Sequence, residues 1–209
     1  MFARMFIVIT VLLILASACV PASPTNVFEV GIEPATVAIS NDAVKNELQP
    51  ILSSMLQGNV TDQLALLQYT QAGCTNVQGF GGPPACPEGV AEGTIIEGFP
   101  IVGSEGYLVK PEEMEVYLND ALPKNLYAVY RVTPGPNDVS YFPVGEYAML
   151  FERESTESSL PVNLRVMDGK IVRIDFPQVN SVADVLKEIP LEQIIIPPQE
   201  AAAWSEESK

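Results

Sequence analysis

The sequence predicts an α+β domain in which N-terminal helices pack on an antiparallel sheet. Three observations lead to this prediction. Apolar residues recur at helical spacing in segment 40–58, aromatic and β-branched runs typical of strands follow from position 125, and an Asp-Gly pair at 168–169 separates two such runs. We expect one such domain over residues 27–196.

The first two helices are expected near the start of this domain. Ser40 and Asn41 are cap-forming residues, Gly58 is a stop signal, and Pro50 between them predicts a kink. The predicted apolar face comprises Val44, Leu48, Ile51, Leu52, Met55 and Leu56. "TDQLALLQYT" is then predicted to be a short second helix capped by Thr61.

Two more helices are predicted further along the chain, after an extended apolar segment "GTIIEGFPIVG". In "KPEEMEVYLNDALP" Pro111 occupies the first helical position, and two glutamates follow it in the first turn. In "SVADVLKEI" Ser181 is the cap and Asp184 follows three residues later. We predict that the Pro/Ala-rich tail, residues 197–209, is disordered.

The predicted sheet is built from "NLYAVYRV", "GEYAMLFER" and the hairpin "VNLRVMDGKIVRIDF", in which Asp168-Gly169 supplies a two-residue turn. Simple alternation from this turn places Leu164 opposite Arg173 and Val162 opposite Asp175. In that register neither face of the hairpin is purely apolar, which would suit a semi-polar pocket or a partner surface.

The N-terminus predicts export. Arg4 precedes an apolar run of eleven residues, about 17 Å of helix against roughly 30 Å of bilayer hydrocarbon, and small residues lead to Cys19. The stretch "LASAC" resembles the lipobox of bacterial lipoproteins, although Ala16 stands where leucine is commonest. The resemblance implies a signal peptide at 1–18 and a lipidated Cys19 that starts a Pro/Ser-rich tether at 19–26. Ordinary secretion with Cys19 as a free thiol is the alternative.

The segment "GCTNVQGFGGPPAC" holds the other two cysteines. The chain has no histidine and no further cysteine nearby, which disfavours zinc, and the two prolines disfavour a phosphate loop that opens a helix. The spacing is also wider than the C-x-x-C of redox pairs. We therefore expect a structural disulfide between Cys74 and Cys86 in an oxidising compartment. The loop tip with Phe80 is a second candidate for ligand contact.

Charge and composition exclude several classes of partner. The formal net charge is −15, which disfavours nucleic acid and anionic lipid headgroups. No motif indicates a metal or a cofactor, and we predict neither. The expected partners are the membrane, through the lipid on Cys19, and a small apolar ligand or an envelope protein.

Two N-terminal helices, the second beginning at "GNVTD", then a helix and long strands that end in "DGKIVRIDF" resemble the nuclear transport factor 2-like, cystatin-type cone. The resemblance covers residues 41–177. It implies a curved sheet that wraps a long helix and leaves a pocket at its open end, and it implies isomerase- or dehydratase-type relatives. It assigns no catalytic role to any numbered residue here. Another α+β arrangement remains open.

Without histidine, chemistry would depend on carboxylate, Tyr, Lys or Arg groups. The candidates on predicted strands are Tyr127, Tyr130, Arg131, Glu146, Tyr147, Arg153, Arg165, Arg173 and Asp175. Each is more commonly a packing residue or a solvated ion pair. We therefore predict no catalytic residue. The predicted function is a lipid-anchored, non-catalytic binding domain, with a cone-fold enzyme and a purely structural envelope component as alternatives. The predicted ligand contacts are Phe80, Tyr127, Tyr130, Tyr147 and Phe151.

Overall fold

The structure is a computed structural model, and it describes residues 40–77, 82–120, 123–134, 141–154 and 159–208. The helices are α1 (Asn41–Gln57), α2 (Val60–Leu66), α3 (Met114–Asp120), α4 (Val182–Lys187) and α5 (Pro198–Glu207). The strands are β1 (Thr70–Gly73), β2 (Ile95–Val102), β3 (Gly106–Val109), β4 (Asn125–Arg131), β5 (Tyr147–Glu154), β6 (Ser159–Met167), β7 (Lys170–Asp175) and β8 (Ile194–Ile196). Short 3-10 turns at Pro111–Glu113 and Leu191–Gln193 precede α3 and β8.

These strands form one curved, unclosed sheet in the order β1-β2-β7-β6-β5-β4-β8, with β3 paired to β2. Neighbouring strands pair in antiparallel fashion, except that β2 runs parallel to β7. The α+β class with N-terminal helices is as predicted. The parallel pairing, which places Val102 beside Asp175, was not predicted.

Helix α1 begins and ends where its sequence predicts. The Ser40 hydroxyl accepts a hydrogen bond from the Ala43 N–H, and Gly58 adopts the left-handed conformation at φ 66° that ends many helices. The apolar face between these caps is buried in the main core against one face of the sheet. Each such Leu or Ile contributes about 1.5–3 kcal/mol of burial free energy.

Helix α2 begins earlier than predicted. Its cap is Asn59, whose side-chain oxygen accepts from the Asp62 N–H at 3.3 Å, and Thr61 lies within the first turn. Asn ranks above Thr as a capping residue, in agreement with this choice. The amide of Asn59 also donates to the Asp62 carboxylate at 2.6 Å.

The β6–β7 hairpin turns as predicted but pairs differently. Asp168 and Gly169 both have positive φ, at 52° and 67°, as a two-residue turn of this kind requires. The register then shifts: Val166 pairs with Ile171, but Arg165 pairs with Arg173 and Leu164 with Ile174. Val172 is the extra residue of a β-bulge. The predicted pairs Leu164–Arg173 and Val162–Asp175 are therefore wrong.

The bulge separates the two faces of the hairpin. Val162, Leu164 and Ile174 face the main core, whereas Arg173 and Asp175 face the other side of the sheet with the side chains of Asn163 and Arg165. The prediction that neither face is purely apolar is wrong, because one extra residue in a strand moves every later side chain to the opposite face.

The predicted disorder of residues 197–209 is contradicted by α5, which spans Pro198–Glu207. Its Trp204 is buried, and the indole Nε1 donates to Gln49 Oε1 on α1 at 2.6 Å. Lys45 of α1 pairs with Glu200 at 2.8 Å. The tail is ordered because its single tryptophan finds an apolar site and a hydrogen-bond acceptor on a distant part of the chain.

The predicted disulfide joins Cys74 and Cys86, twelve residues apart. The loop between them is also held by backbone bonds, since the Thr75 N–H donates to Pro84 and the Cys86 N–H donates to Thr75. The predicted signal peptide, Cys19 and the tether lie outside the described residues, as does Phe80.

Candidate functional site

A polar cluster lies at the centre of the sheet face that points away from α1. Two rows of paired residues cross the strands there. One row runs Tyr130, Ala148, Arg165, Arg173, and the other runs Leu150, Asn163, Asp175, Val102. The small side chain of Ala148 separates the ring of Tyr130 from Arg165.

The two arginines of this cluster share one carboxylate. Arg173 donates from Nε to Asp175 Oδ1 at 2.6 Å and from Nη2 to Oδ2 at 3.1 Å. Arg165 donates from Nε to Asp175 Oδ2 at 2.6 Å. The side chains of Arg173 and Asp175 are each 10% exposed, and that of Arg165 is 16% exposed. Like charges directly opposite each other on neighbouring strands repel, and Asp175 relieves this repulsion.

Tyr130 and Asn163 complete the polar surface. Burial raises the pKa of Tyr130, and the Asp175 carboxylate raises it further, whereas Arg165, Arg173 and a side-chain hydrogen bond with Asn163 lower it. The net pKa is above the ordinary value, so the phenol is neutral at physiological pH. Asn163 is 3% exposed, and its Oδ1 has no hydrogen-bond partner in the described part of the chain. Buried side-chain acceptors nearly always have a hydrogen-bond partner in native proteins, so this oxygen can accept one from a further donor.

Helix α4 and the segment before it provide an apolar wall. Val179, Val185 and Ile189 face the polar cluster across a cavity of about 400 Å³. Glu188 lies at the exposed rim, and Gly103 and Pro177 lie on the lining nearer β2. The cavity therefore has a charged floor and an apolar wall, the composition common in sites for small organic ligands.

The position of α4 depends on a local capping network. The Ser181 hydroxyl accepts from the Asp184 N–H at 3.2 Å and donates to Asp184 Oδ2 at 2.8 Å. Lys187 donates to the other oxygen of Asp184 at 2.7 Å. On the inner side, Val182 and Val185 pack with Tyr130, Ala148 and Leu150 in a second apolar cluster.

The structure unites four of the nine candidate groups and separates the others. Tyr130, Arg165, Arg173 and Asp175 line the cavity. Tyr127 packs partly buried in the cluster under α4. Glu146 and Arg131 are exposed, and the Arg131 guanidinium lies 6.0 Å from the Tyr147 ring centroid. Arg153 stacks over Phe176 at 5.4 Å, away from the shared carboxylate.

The predicted ligand contacts on strands divide between the two faces. Tyr147 and Phe151 lie in the main core with α1, and Phe151 is fully buried. Tyr130 lies on the opposite face and lines the cavity. Strict alternation along β5 causes this division, because positions 147, 149 and 151 share one face and 148 and 150 the other.

Sequence reasoning missed Asn163 and the apolar wall from α4. The spacing of apolar core residues along two strands could have indicated the site, because it departs from the two-residue alternation of a regular strand. Leu126 and Val129 on β4, like Ile171 and Ile174 on β7, both face the core although three residues apart. Two core-facing residues that lie three positions apart in one strand indicate a β-bulge between them. The strand pairing confirms this, because the register shifts beside Tyr127 in β4 and at Val172 in β7. These two shifts turn Tyr130, Arg173 and Asp175 toward α4.

Across the described ranges, no helix has the length and apolar character needed to cross a bilayer. The same residues contain no group of three or more carboxylate or cysteine side chains placed to hold a metal ion.

No protein-family model matches the chain. No characterised protein matches its sequence significantly. Among solved structures, an NTF2-like protein of unknown function from Cytophaga hutchinsonii ATCC 33406 is similar to 72% of this chain and over 98% of its own length. The sequence identity is 9% and the TM-score is 0.33. This likeness is partial, and neither a family nor a function follows from it.

Proposed function

We propose that this chain is a lipid-anchored, extracytoplasmic, non-catalytic domain that binds a small ligand in the cavity beneath α4. The observation that carries the proposal is the pairing of a buried polar floor with an apolar wall around one cavity. A structural sheet face under a helix would be filled with apolar side chains, because two buried arginines are costly to desolvate.

Placement outside the cytoplasm is supported by the disulfide between Cys74 and Cys86, because such bonds persist in oxidising compartments. The apolar leader followed by "LASAC" supports a lipid on Cys19. The Pro/Ser-rich segment after it would hold the domain away from the bilayer surface.

A non-catalytic role is favoured by how the carboxylate is used. Both oxygens of Asp175 accept hydrogen bonds from arginines, so the group is committed to holding their side chains in place. One observation favours the alternative of an enzyme: the cavity contains a buried carboxylate and the phenol of Tyr130, although it lies on the sheet face away from α1 and not in the pocket that the cone resemblance implies. Steady turnover that is lost in Asp175→Asn while the fold is retained would establish the enzyme.

A small ligand is favoured over an envelope protein because the polar groups of the floor converge on one cavity of about 400 Å³, whereas protein partners are recognised over wider surfaces. The third alternative, a purely structural envelope component, gives no role to the buried acceptor of Asn163.

The test is recovery of bound small molecules from protein purified from its native membrane. Ile189→Trp would fill the cavity, whereas Leu191→Trp adds the same bulk at a side chain that is 83% exposed and outside the lining. Mass spectrometry should find the same molecule with wild type and Leu191→Trp and lose it with Ile189→Trp. Equal recovery from all three proteins would place the ligand elsewhere, and recovery from none would contradict the proposal.

The anchor is tested separately by the intact mass of detergent-extracted protein. The mature chain should begin at Cys19 and carry the added mass of acyl chains, and Cys19→Ser should abolish that addition. A water-soluble product with an unmodified Cys19 would contradict the anchor without affecting the cavity proposal.

A further inference from the structure

We propose that the ligand of this cavity is an α-hydroxy carboxylate with an apolar body. Its carboxylate would bind the outer nitrogens of Arg165, its hydroxyl would donate to Asn163 Oδ1, and its apolar part would contact Val185 and Ile189. The inference rests on the proposed function, because it names the class of small molecule that the same cavity takes.

The first argument is the unused donor capacity of Arg165. A guanidinium group has five N–H donors in a planar fork that matches a carboxylate. Arg165 gives its Nε to Asp175, and within the described residues no acceptor lies on its Nη1 or Nη2. Asp175 fixes the orientation of the fork, so little side-chain freedom is lost when a ligand binds.

The second argument is the position of Asn163 relative to that fork. Asn163 pairs directly with Asp175 across β6 and β7, and the Arg165 Nε lies 2.6 Å from Asp175 Oδ2. The guanidinium thus extends from its own row of the sheet into the row that contains Asn163. The outer N–H groups of Arg165 would donate to a ligand carboxylate, and the neighbouring Asn163 Oδ1 would accept from a ligand hydroxyl. An α-hydroxy acid has these two groups on adjacent carbon atoms.

The third argument concerns charge. Arg165, Arg173 and Asp175 are the charged groups of the described floor, and Glu188 adds a negative charge at the exposed rim. The chain as a whole is strongly acidic, at −15. Long-range attraction of anions is therefore weak, and selection of a carboxylate depends on short, directed hydrogen bonds to the largely buried Arg165.

The apolar wall selects the rest of the molecule. Val179, Val185 and Ile189 offer only hydrocarbon to the ligand. A short aliphatic chain attached to the hydroxy acid would bury its methylene groups there. A highly charged small acid such as a tricarboxylate would leave its extra charges against this wall.

The test uses three probes of nearly equal shape. They are α-hydroxyoctanoate, octanoate, which lacks the hydroxyl, and α-hydroxyoctanamide, which lacks the charge. Calorimetric titration of the folded protein should show α-hydroxyoctanoate binding about tenfold more tightly than the amide and about threefold more tightly than octanoate, as expected for one charged and one neutral hydrogen bond.

Variants then locate the contacts. Arg165→Gln should reduce the affinity for α-hydroxyoctanoate to that for the amide, and Arg165→Lys should retain part of the preference through its charge. Asn163→Ala should remove the advantage over octanoate. The matched control is Lys110→Gln, which removes one positive charge at an exposed side chain outside the cavity lining and outside α4, and it should leave all three affinities unchanged.

Equal binding of the acid and the amide by wild-type protein would overturn the carboxylate assignment, and this comparison needs no variant to fold. A preference for the acid that survives in folded Arg165→Gln would overturn the role of Arg165. If none of the three probes binds, the inference fails, and recovery of a different molecule that is lost in Ile189→Trp would still support the proposed function.

Discussion

Arg173 and Asp175 lie two residues apart on β7 and form a two-point ion pair, with Nε–Oδ1 and Nη2–Oδ2 distances of 2.6 and 3.1 Å. Arg165 of the neighbouring strand joins the same carboxylate at 2.6 Å. One acidic side chain therefore holds two basic side chains in place on a face of the sheet that a helix covers.

Asp175→Asn should lower the free energy of unfolding by about 3 kcal/mol, because it removes the charge that compensates both arginines in a largely buried site. Urea denaturation measures this change. The control is Asp184→Asn, which removes a carboxylate paired with the exposed Lys187 and should cost much less, because surface ion pairs contribute little to stability. Similar losses in the two variants would show that the Asp175 network contributes no more than a surface pair.

Trp204→Ala should lower the free energy of unfolding by about 3–5 kcal/mol, because it empties a buried site between α5 and α1. Gln49→Leu should cost about 1–3 kcal/mol, since the indole Nε1 loses its acceptor while packing is retained. Trp204 is the chain's only tryptophan, so its fluorescence reports the docking of α5 directly. A tryptophan emission typical of water in the native protein would contradict the docked helix.

Removal of the disulfide by Cys74→Ala together with Cys86→Ala should lower the free energy of unfolding by about 3 kcal/mol, because the unfolded chain regains the freedom of the closed loop. Reductant should destabilise wild type to a similar extent and leave the double variant unaffected. Neither Cys74 nor Cys86 lines the cavity, so ligand affinity should not change. Free thiols in the protein isolated from its native cells without reductant would contradict the bond.

Asp184 should titrate below the ordinary pKa of an aspartate. Hydrogen bonds from Lys187 and Ser181 lower its pKa, and the charge of Lys187 lowers it further. A lowered folded pKa means that this carboxylate stabilises the cap of α4 above the unfolded pKa of about 3.9, and that the contribution is lost as pH falls through the folded pKa. NMR titration of the carboxyl carbon should show this, and Lys187→Gln should raise the pKa toward the ordinary value. No difference between wild type and the variant would contradict the interaction.

Local signals were sufficient for much of the fold. The cap at Ser40, the stop at Gly58 and the turn at Asp168-Gly169 each act over a few residues, so the sequence predicts them without knowledge of the partner elements. The bond between Cys74 and Cys86 could be predicted because the chain has no other cysteine nearby and because the N-terminus predicts an oxidising compartment. The α+β class followed from the change of apolar spacing along the chain.

The sequence by itself therefore determined helices α1 to α4, the extended segments that become β2 and β4 to β7, and the loop closed by the disulfide, but it did not indicate α5. Only the tertiary structure decided which side chains meet. The bulges beside Tyr127 and at Val172 form because strands pair with particular neighbours, and each shifts the following side chains to the other face. Helix α5 likewise exists as a docked element because Trp204 finds Gln49 on α1, 155 residues earlier in the chain. Spacing rules describe one strand or helix at a time, whereas the cavity depends on four strands and a helix meeting at one place.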